Sequence, residues 1–164
     1  MLFFLFLAFL SFPKFALGAS CRCFSHNSCW PKTSDFAGLA AKLSQPLLYP
    51  VPPESACYPP ANPSGDCATV KQRTTDGIWR ASQPGAMQEL QYETYEWPNG
   101  TISACYLNTT IGAPCQQGSV PTIGVDARTV SDLQAAVKFA KRFNLRVVVK
   151  STGCVHYLYL FFLD

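Results

Sequence analysis

The sequence predicts an α/β (α+β) fold: an irregular, disulfide-rich N-terminal region followed by a strand–helix–strand (βαβ) unit. Eight cysteines and thirteen prolines in 164 residues, with the prolines concentrated before residue 122, indicate the irregular region. After Pro121, two β-branched runs flank a segment with helical periodicity, which predicts the βαβ unit. The length allows about one domain.

The first eighteen residues predict a secretory signal peptide. They form an apolar run that ends in Ala16-Leu17-Gly18, a small-x-small cleavage pattern. The run before Pro13 and Lys14 is too short to cross a hydrocarbon core of about 30 Å. We therefore expect a secreted chain with no membrane contact after cleavage at Gly18 or Ala19.

The cysteines agree with an oxidising compartment. Short spacings suggest that Cys57 pairs with Cys67 and Cys105 with Cys115, and each closure is worth roughly 3 kcal/mol in the chain-entropy model. Connectivity is not fixed by spacing. The remaining cysteines leave several pairings open: Cys21, Cys23, Cys29 and Cys154.

Three further features bear on metal binding, glycosylation and nucleic-acid binding. His26 lies between Cys23 and Cys29, but a secreted setting favours a disulfide over a metal site. Asn99 and Asn108 begin N-x-Thr sequons, so both are predicted glycosylation sites. The net charge of +3 includes no basic run that would predict nucleic-acid binding.

Residues 19–119 are predicted to be Cys- and Pro-rich with little regular structure. We expect one helix capped by Ser34, with Phe36 and Leu39 on its buried face. A second short helix is expected within residues 67–80, ending near Gly77. The remainder is expected to form turns and short extended pieces.

Residues 120–153 carry the βαβ pattern. We expect a strand over 122–125, then a helix with Thr129 as N-cap and Asp132 at its N3 position. Asn144 is expected to take the left-handed conformation that ends the helix, and the β-branched run over 145–149 to form the second strand. A right-handed crossover should bring the two strands into one sheet. The buried helical face is predicted to comprise Val130, Leu133, Ala136, Val137, Ala140 and Phe143.

A candidate ligand site follows the second strand: Lys150, Ser151, Thr152 and Gly153. Ligands of open α/β sheets gather at the carboxyl ends of strands. Backbone N–H groups in a small-residue turn can bind an anion such as a diphosphate. An ordinary turn after a strand is the alternative.

From Cys21 to Gly153 the chain resembles secreted fungal FAD-linked oxidases of the berberine-bridge-enzyme-like group, whose flavin domain is of the vanillyl-alcohol-oxidase (PCMH) type. The resemblance covers only the N-terminal part of that family. The motifs that carry it occur in order: Cys21-Arg22-Cys23-Phe24, Ser28-Cys29-Trp30-Pro31, the Cys57 and Cys67 pair, Ala113-Pro114-Cys115-Gln116-Gln117-Gly118, and the block from Val125 to Gly153.

The resemblance implies FAD as cofactor, with Lys150 to Gly153 around its diphosphate. In the family a His-Asp pair follows the glycine and the His carries the flavin. Here Cys154 follows instead, and residues 154–164 form an apolar tail unlike the family's continuation. We hypothesise that translation has read into an intron after Gly153, and we transfer no role to His156. The catalytic residues are predicted to be absent.

Two function classes are consistent with the sequence. The first is an N-terminal fragment of a secreted FAD-dependent oxidase that acts on alcohols, sugars or related small molecules with oxygen as acceptor, inactive as this truncated chain. The second is a small secreted cysteine-rich binding protein without catalysis. The Lys150–Gly153 block favours the first class, because a binding module does not require it.

Overall fold

A four-stranded sheet and the helices on either side of it dominate the computed structural model, which describes residues 22–59, 65–152 and 155–163, with only the backbone for 151–152, 155–160 and 163. The predicted signal peptide, Cys21, Gly153 and Cys154 lie outside the described residues. The elements run in the following order: α1 (Thr33–Ala40), β1 (Leu47–Leu48), α2 (Cys67–Arg73), α3 (Gly77–Ser82), β2 (Tyr95–Glu96), β3 (Ile102–Ser103), β4 (Ile123–Ala127), α4 (Val130–Arg142), β5 (Arg146–Thr152) and β6 (Val155–Leu163).

The sheet order is β1-β4-β6-β5, and every neighbouring pair is antiparallel. β4 and β5 are therefore parallel to each other, as a crossover through α4 requires, but they are not neighbours. The two strands do share one sheet, as expected, but they do not lie side by side as the strands of a simple βαβ unit do. The reason is β6, a nine-residue run rich in aromatic and aliphatic residues, which pairs with both strands: its Leu160 lies opposite Val125 on one side and Val149 on the other.

α4 covers one face of the sheet. Its cap is as predicted: Thr129 and Asp132 form a reciprocal capping box, and Asn144 beyond its end has φ 53°. The buried residues of α4 are Asp132, Ala136, Phe139 and Ala140. The predicted face was wrong at Val130 and Val137, which are 71% and 50% exposed, because the helix packs through the Phe139 side.

An aromatic cluster joins α1, α4 and β6. The Phe139 ring lies 5.3 Å from that of Phe36 and 5.6 Å from that of Phe162. The Trp30 ring in turn lies 6.0 Å from that of Phe36. α1 begins at Thr33 with Lys32 as its N-cap, two residues before the predicted Ser34 cap. These contacts tie the N-terminal region to the sheet through apolar burial.

On the opposite face of the sheet, the Phe161 ring packs against Gly124. A Cβ atom added at Gly124 would lie 2.3 Å from a carbon of the Phe161 ring. Only a residue without a side chain allows β4 and β6 to pair here with that ring buried. β6 is thus packed on both faces, through Phe161 and Phe162.

The Pro-rich region contains more regular structure than expected. A 3₁₀ helix spans Pro53–Cys57, and residues 67–82 form two helices, with Gly77 starting α3 rather than ending a helix. The reason is Asp76, whose carboxylate accepts hydrogen bonds from the N–H groups of Ile78 and Trp79 and so opens a new helix.

Three disulfides crosslink the described residues: Cys23–Cys29, Cys57–Cys67 and Cys105–Cys115. The last two are the pairs that the spacing suggested. The Cys23–Cys29 disulfide places His26 inside a closed loop, where its ring stacks on Phe24. Among the described residues no helix is long and apolar enough to span a bilayer.

Candidate functional site

The predicted site lies at the end of β5, beside α3. There Lys150, Arg80 and Phe161 line a cavity of about 530 Å³ between that helix and the sheet. Lys150 shares a sheet face with Val148, which pairs with Phe161. The other predicted residues continue the strand: Ser151 and Thr152 close β5 against Leu158 and Val155 of β6, and Gly153 lies outside the described residues.

The ammonium group of Lys150 is held by backbone carbonyls. Its Nζ donates to the carbonyl oxygens of Arg80 at 3.0 Å and Ala86 at 2.8 Å, and also to that of Gln83. An ammonium has three N–H donors, so all three are used within the protein. The acceptors lie at and just beyond the C-terminal end of α3, where a positive charge is favourable.

Burial lowers the pKa of Lys150 to about 8, and repulsion from Arg80 acts in the same direction while attraction to Glu93 opposes it. The charge and the hydrogen bonds of Lys150 are therefore coupled to a buried cluster next to it. We define this cluster as Glu54, Arg80 and Glu93, whose side chains are almost fully buried.

The guanidinium of Arg80 organises this cluster. One of its amino groups forms a close ion pair with Glu93, and the other lies 3.8 Å from the carboxylate of Glu54. Glu93 also accepts from the Met87 N–H at 2.8 Å. Both oxygens of Glu54 and one of Glu93 have no donor among the described residues. Two carboxyl groups and one guanidinium therefore share a site that solvent does not reach.

Burial and the crowding of two carboxyl groups favour the protonated form of Glu93. Burial raises the pKa of Glu93 to about 8, with repulsion from Glu54 and a hydrogen bond between the two carboxyl groups adding to the rise. Two acceptor-only carboxylates cannot hydrogen-bond to each other, but a protonated carboxyl donates to a carboxylate. Glu93 is therefore the group of this cluster that is expected to hold a proton at neutral pH.

No motif in the sequence signals this cluster. Its members lie 13 to 39 residues apart and in separate elements, so spacing carries no information about it. The one available signal is chemical: Glu54 stands in a segment of prolines and apolar residues, in a chain with only 14% charged residues. A carboxylate in such a segment requires a buried partner.

Residues 113–118, one of the blocks that carry the family resemblance, contact backbone carbonyl groups of neighbouring segments. The side-chain amide of Gln117 donates to the carbonyl oxygens of Pro50 at 2.9 Å and Val120 at 3.1 Å. A Cβ atom at Gly118, where φ is +60°, would lie 1.9 Å from the carbonyl oxygen of Glu93. The block thus joins the Pro-rich region to the start of β4 and supports the buried cluster.

The other acidic residues have structural partners. Asp132 accepts from the backbone N–H and the hydroxyl of Ser44, both at 2.7 Å, and these bonds hold the pKa of its carboxyl well below the usual range. Asp126 forms a two-pronged contact with Arg128, at 2.7 and 2.6 Å. The prediction that Asp132 stands at the N3 position of the helix is confirmed. The described residues contain no group of three that could bind a metal.

Comparison with known proteins decides the family. An uncharacterized FAD-linked oxidoreductase of Arthroderma benhamiae is 38% identical over 136 residues, which are 83% of this chain and 23% of that protein. The FAD-linked oxidoreductase easE of Claviceps fusiformis is 32% identical over 152 residues, 90% of this chain and 26% of that one. The chain is a homologue of the fungal FAD-linked oxidoreductases.

The solved structures agree with this relationship. The VAO-type flavoprotein MtVAO615 of Myceliophthora thermophila matches with a TM-score of 0.67 and 31% identity, over 82% of this chain and 24% of that one. MtVAO713 of the same fungus matches with a TM-score of 0.60 and 29% identity. The chain spans about a quarter of the length of these FAD-linked relatives. No protein-family model matches it.

The ammonium group of Lys150 is not free to bind a flavin diphosphate. Lys150, the predicted anion ligand with a described side chain, uses all three donors on protein carbonyls. β6 also lies between β4 and β5, at the place where a crevice between adjacent parallel strands would open.

Proposed function

We propose that this chain corresponds to the N-terminal part of a secreted FAD-dependent oxidoreductase, an oxidase of alcohols, sugars or related donors that uses oxygen as acceptor. The observation that carries the proposal is the match to FAD-linked oxidoreductases over more than four fifths of this chain, supported by a TM-score of 0.67 to a VAO-type flavoprotein. In such proteins the flavin supplies the redox chemistry.

The chain's own contribution in this proposal is structural. Lys150 links the end of α3 to β5, and the Glu54–Arg80–Glu93 cluster joins the Pro-rich region to residues 87–93. These links would set the direction in which the chain leaves β5. In the relatives, small-molecule substrate contacts and the catalytic groups would come from the parts outside the matched region.

We expect no appreciable FAD binding by this chain. The ammonium group of Lys150 donates to protein carbonyl groups, and β6 occupies the position between β4 and β5. The test is a titration of the purified chain with FAD, followed by flavin fluorescence and calorimetry. The expected result is no saturable binding up to about 1 mM, which corresponds to less than about 4 kcal/mol of binding free energy.

A full-length FAD-linked relative measured in the same way is the positive control. A purified chain that is yellow, or that binds FAD in the micromolar range, would contradict the expectation of an incomplete site. Spectral identity of that flavin with the bound flavin of the relative would then assign a complete cofactor site to these 164 residues.

The alternative is a secreted cysteine-rich protein without a role in catalysis, and no contact among the described residues favours it. It makes a different prediction, because a protein evolved for that role has no need of a flavin-domain continuation. Sequencing of the spliced transcript separates the two: an in-frame exon that begins with His-Asp after codon 153 supports the oxidase, and a mature message that encodes residues 154–164 supports the alternative.

A further inference from the structure

The β2–β3 hairpin has a turn with an unusual combination of residues. β2 and β3 are antiparallel, with Tyr95 opposite Ser103 and Glu96 opposite Ile102. The five residues between them are Trp97-Pro98-Asn99-Gly100-Thr101, and the central Asn99 begins a sequon. An aromatic residue thus stands two positions before the asparagine and a threonine two positions after it.

Hydrogen bonds give this turn a defined shape. The N–H of Trp97 donates to the carbonyl of Thr101, and the N–H of Gly100 donates to the carbonyl of Trp97, both at 2.8 Å. Gly100 has φ +80°. A tight turn followed by a left-handed glycine is the pattern of a three-residue hairpin loop with a bulge. Trp97 and Thr101 therefore face each other across the base of the loop, with Asn99 at the tip.

Asn99 has an ordered, exposed amide, and the exposed ring of Trp97 is in the same turn. Its Oδ1 accepts from the Thr101 N–H at 3.0 Å, which fixes the amide orientation. Asn99 is exposed, and Trp97 remains 42% exposed although its ring meets that of Tyr95 edge-to-face at 4.9 Å. An indole that is held in place on one side and open to solvent on the other leaves apolar area uncovered.

We propose that Trp97 is a packing platform for the first N-acetylglucosamine of a glycan on Asn99, and that the glycan thereby stabilises the β2–β3 hairpin. The proposal rests on the secretory part of the proposed function, since attachment requires the secretory pathway. The C–H groups on one face of a pyranose are apolar and carry slight positive charge, and an aromatic face is apolar and electron-rich. Contact between them buries the exposed indole face.

The attachment step is a substitution at carbon. Nδ2 of Asn99 forms a bond to C1 of N-acetylglucosamine while the bond from C1 to a lipid-linked diphosphate breaks. The amide nitrogen loses one proton, and the lipid diphosphate leaves with the electron pair of the broken bond. No oxidant or reductant takes part.

The second sequon provides an internal control. Tyr106 also stands two positions before its asparagine, Asn108, but this asparagine caps a 3₁₀ helix over Thr109–Ile111. Its Oδ1 accepts from the N–H of Thr110 at 3.0 Å and from its hydroxyl at 2.7 Å. No strand pairing among the described residues places Tyr106 opposite Thr110. A glycan on Asn108 is therefore expected to leave local stability unchanged.

The experiment is a cycle of variants of the full chain, secreted from a glycosylating eukaryotic host and trimmed to one N-acetylglucosamine per site. The members are the parent, Asn99→Gln, Trp97→Ala and the double variant, with Asn108→Gln as the matched control. Mass spectrometry gives the occupancy of each site, and amide hydrogen exchange at Gly100 and Trp97 reports hairpin opening without requiring global unfolding.

We expect Asn99→Gln to speed this exchange about threefold to tenfold when Trp97 is present and to have no effect in the Trp97→Ala background. Trp97→Phe should preserve most of the glycan effect. If Asn99→Gln changed the exchange rate equally with and without Trp97, or if Asn108 carried a sugar and Asn99 never did, the role of Trp97 as a packing platform would be contradicted. The proposed function would be unaffected by either result. A secreted chain without sugar on either residue would overturn that role too, whereas retention of the chain inside the host would contradict the secretory part of the proposed function as well.

Discussion

At the scale of single residues, the Glu54–Arg80–Glu93 cluster predicts a pH-dependent stability. The folded chain raises the pKa of Glu93 to about 8 from an ordinary value of about 4.5, so folding favours the protonated acid. The stabilisation is complete below about pH 4.5 and is lost progressively as the pH rises towards 8. Lys150, whose pKa falls to about 8 from 10.5, titrates in the window above this one.

Denaturant unfolding of the chain between pH 5 and 8 tests the Glu93 assignment. Glu93→Gln, which is neutral at every pH and keeps the shape of the protonated acid, should flatten the decline in unfolding free energy. Asp35→Asn is a suitable control, because Asp35 caps only the start of α1. A decline that persists unchanged in Glu93→Gln would show that another group holds the proton.

Lys150 makes a second prediction at this scale. Lys150→Met keeps the length of the side chain but leaves the carbonyls of Arg80, Gln83 and Ala86 without their donor. Unpaired buried acceptors are costly, so the unfolding free energy should fall by about 1–3 kcal/mol. The exposed Lys141→Met should change it by less than about 0.5 kcal/mol. Equal stability of the two variants at pH 7 would show that Lys150 is not a structural anchor.

At the scale of elements, Asp132 links α4 to the residues after α1. It closes the capping box with Thr129 and also accepts two hydrogen bonds from Ser44, 88 residues away. Asp132→Ala should therefore lower the unfolding free energy by about 2 kcal/mol or more, above the value of about 1 kcal/mol for a cap alone. Thr129→Ala loses the cap but keeps the Ser44 contacts, and it should cost less. A larger loss in Thr129→Ala than in Asp132→Ala, measured by urea unfolding, would contradict this account.

The elements also show which features the sequence could predict. α4 was predictable because a capping box, a 3.6-residue apolar period and a left-handed Asn144 are all local signals. The strand order was not, because residues 155–163 pair with strands on both sides, and register across 40 residues is a tertiary property. In the candidate site, the place of Lys150 after the β-branched run was enough to single it out as a predicted ligand residue. Its carbonyl partners and the Glu54–Glu93 pair come together only through the path of the Pro-rich region.

At the scale of the whole molecule, β6 determines the order of the strands and fills the space between β4 and β5. With β6 present, β4 and β5 each have a paired neighbour, and Phe161 and Phe162 are buried on opposite faces of one sheet. The same strand occupies the space between the two parallel strands. The proposal that this chain does not bind FAD therefore depends on the position of β6.

The most direct test of this claim is the sheet order in solution, measured by backbone nuclear Overhauser contacts and amide exchange on the isotopically labelled chain. The account predicts contacts from Leu160 to both Val125 and Val149, with protected amides through residues 155–163. Direct contacts between β4 and β5, together with fast exchange throughout 155–163, would contradict it and would restore an open crevice between the parallel strands.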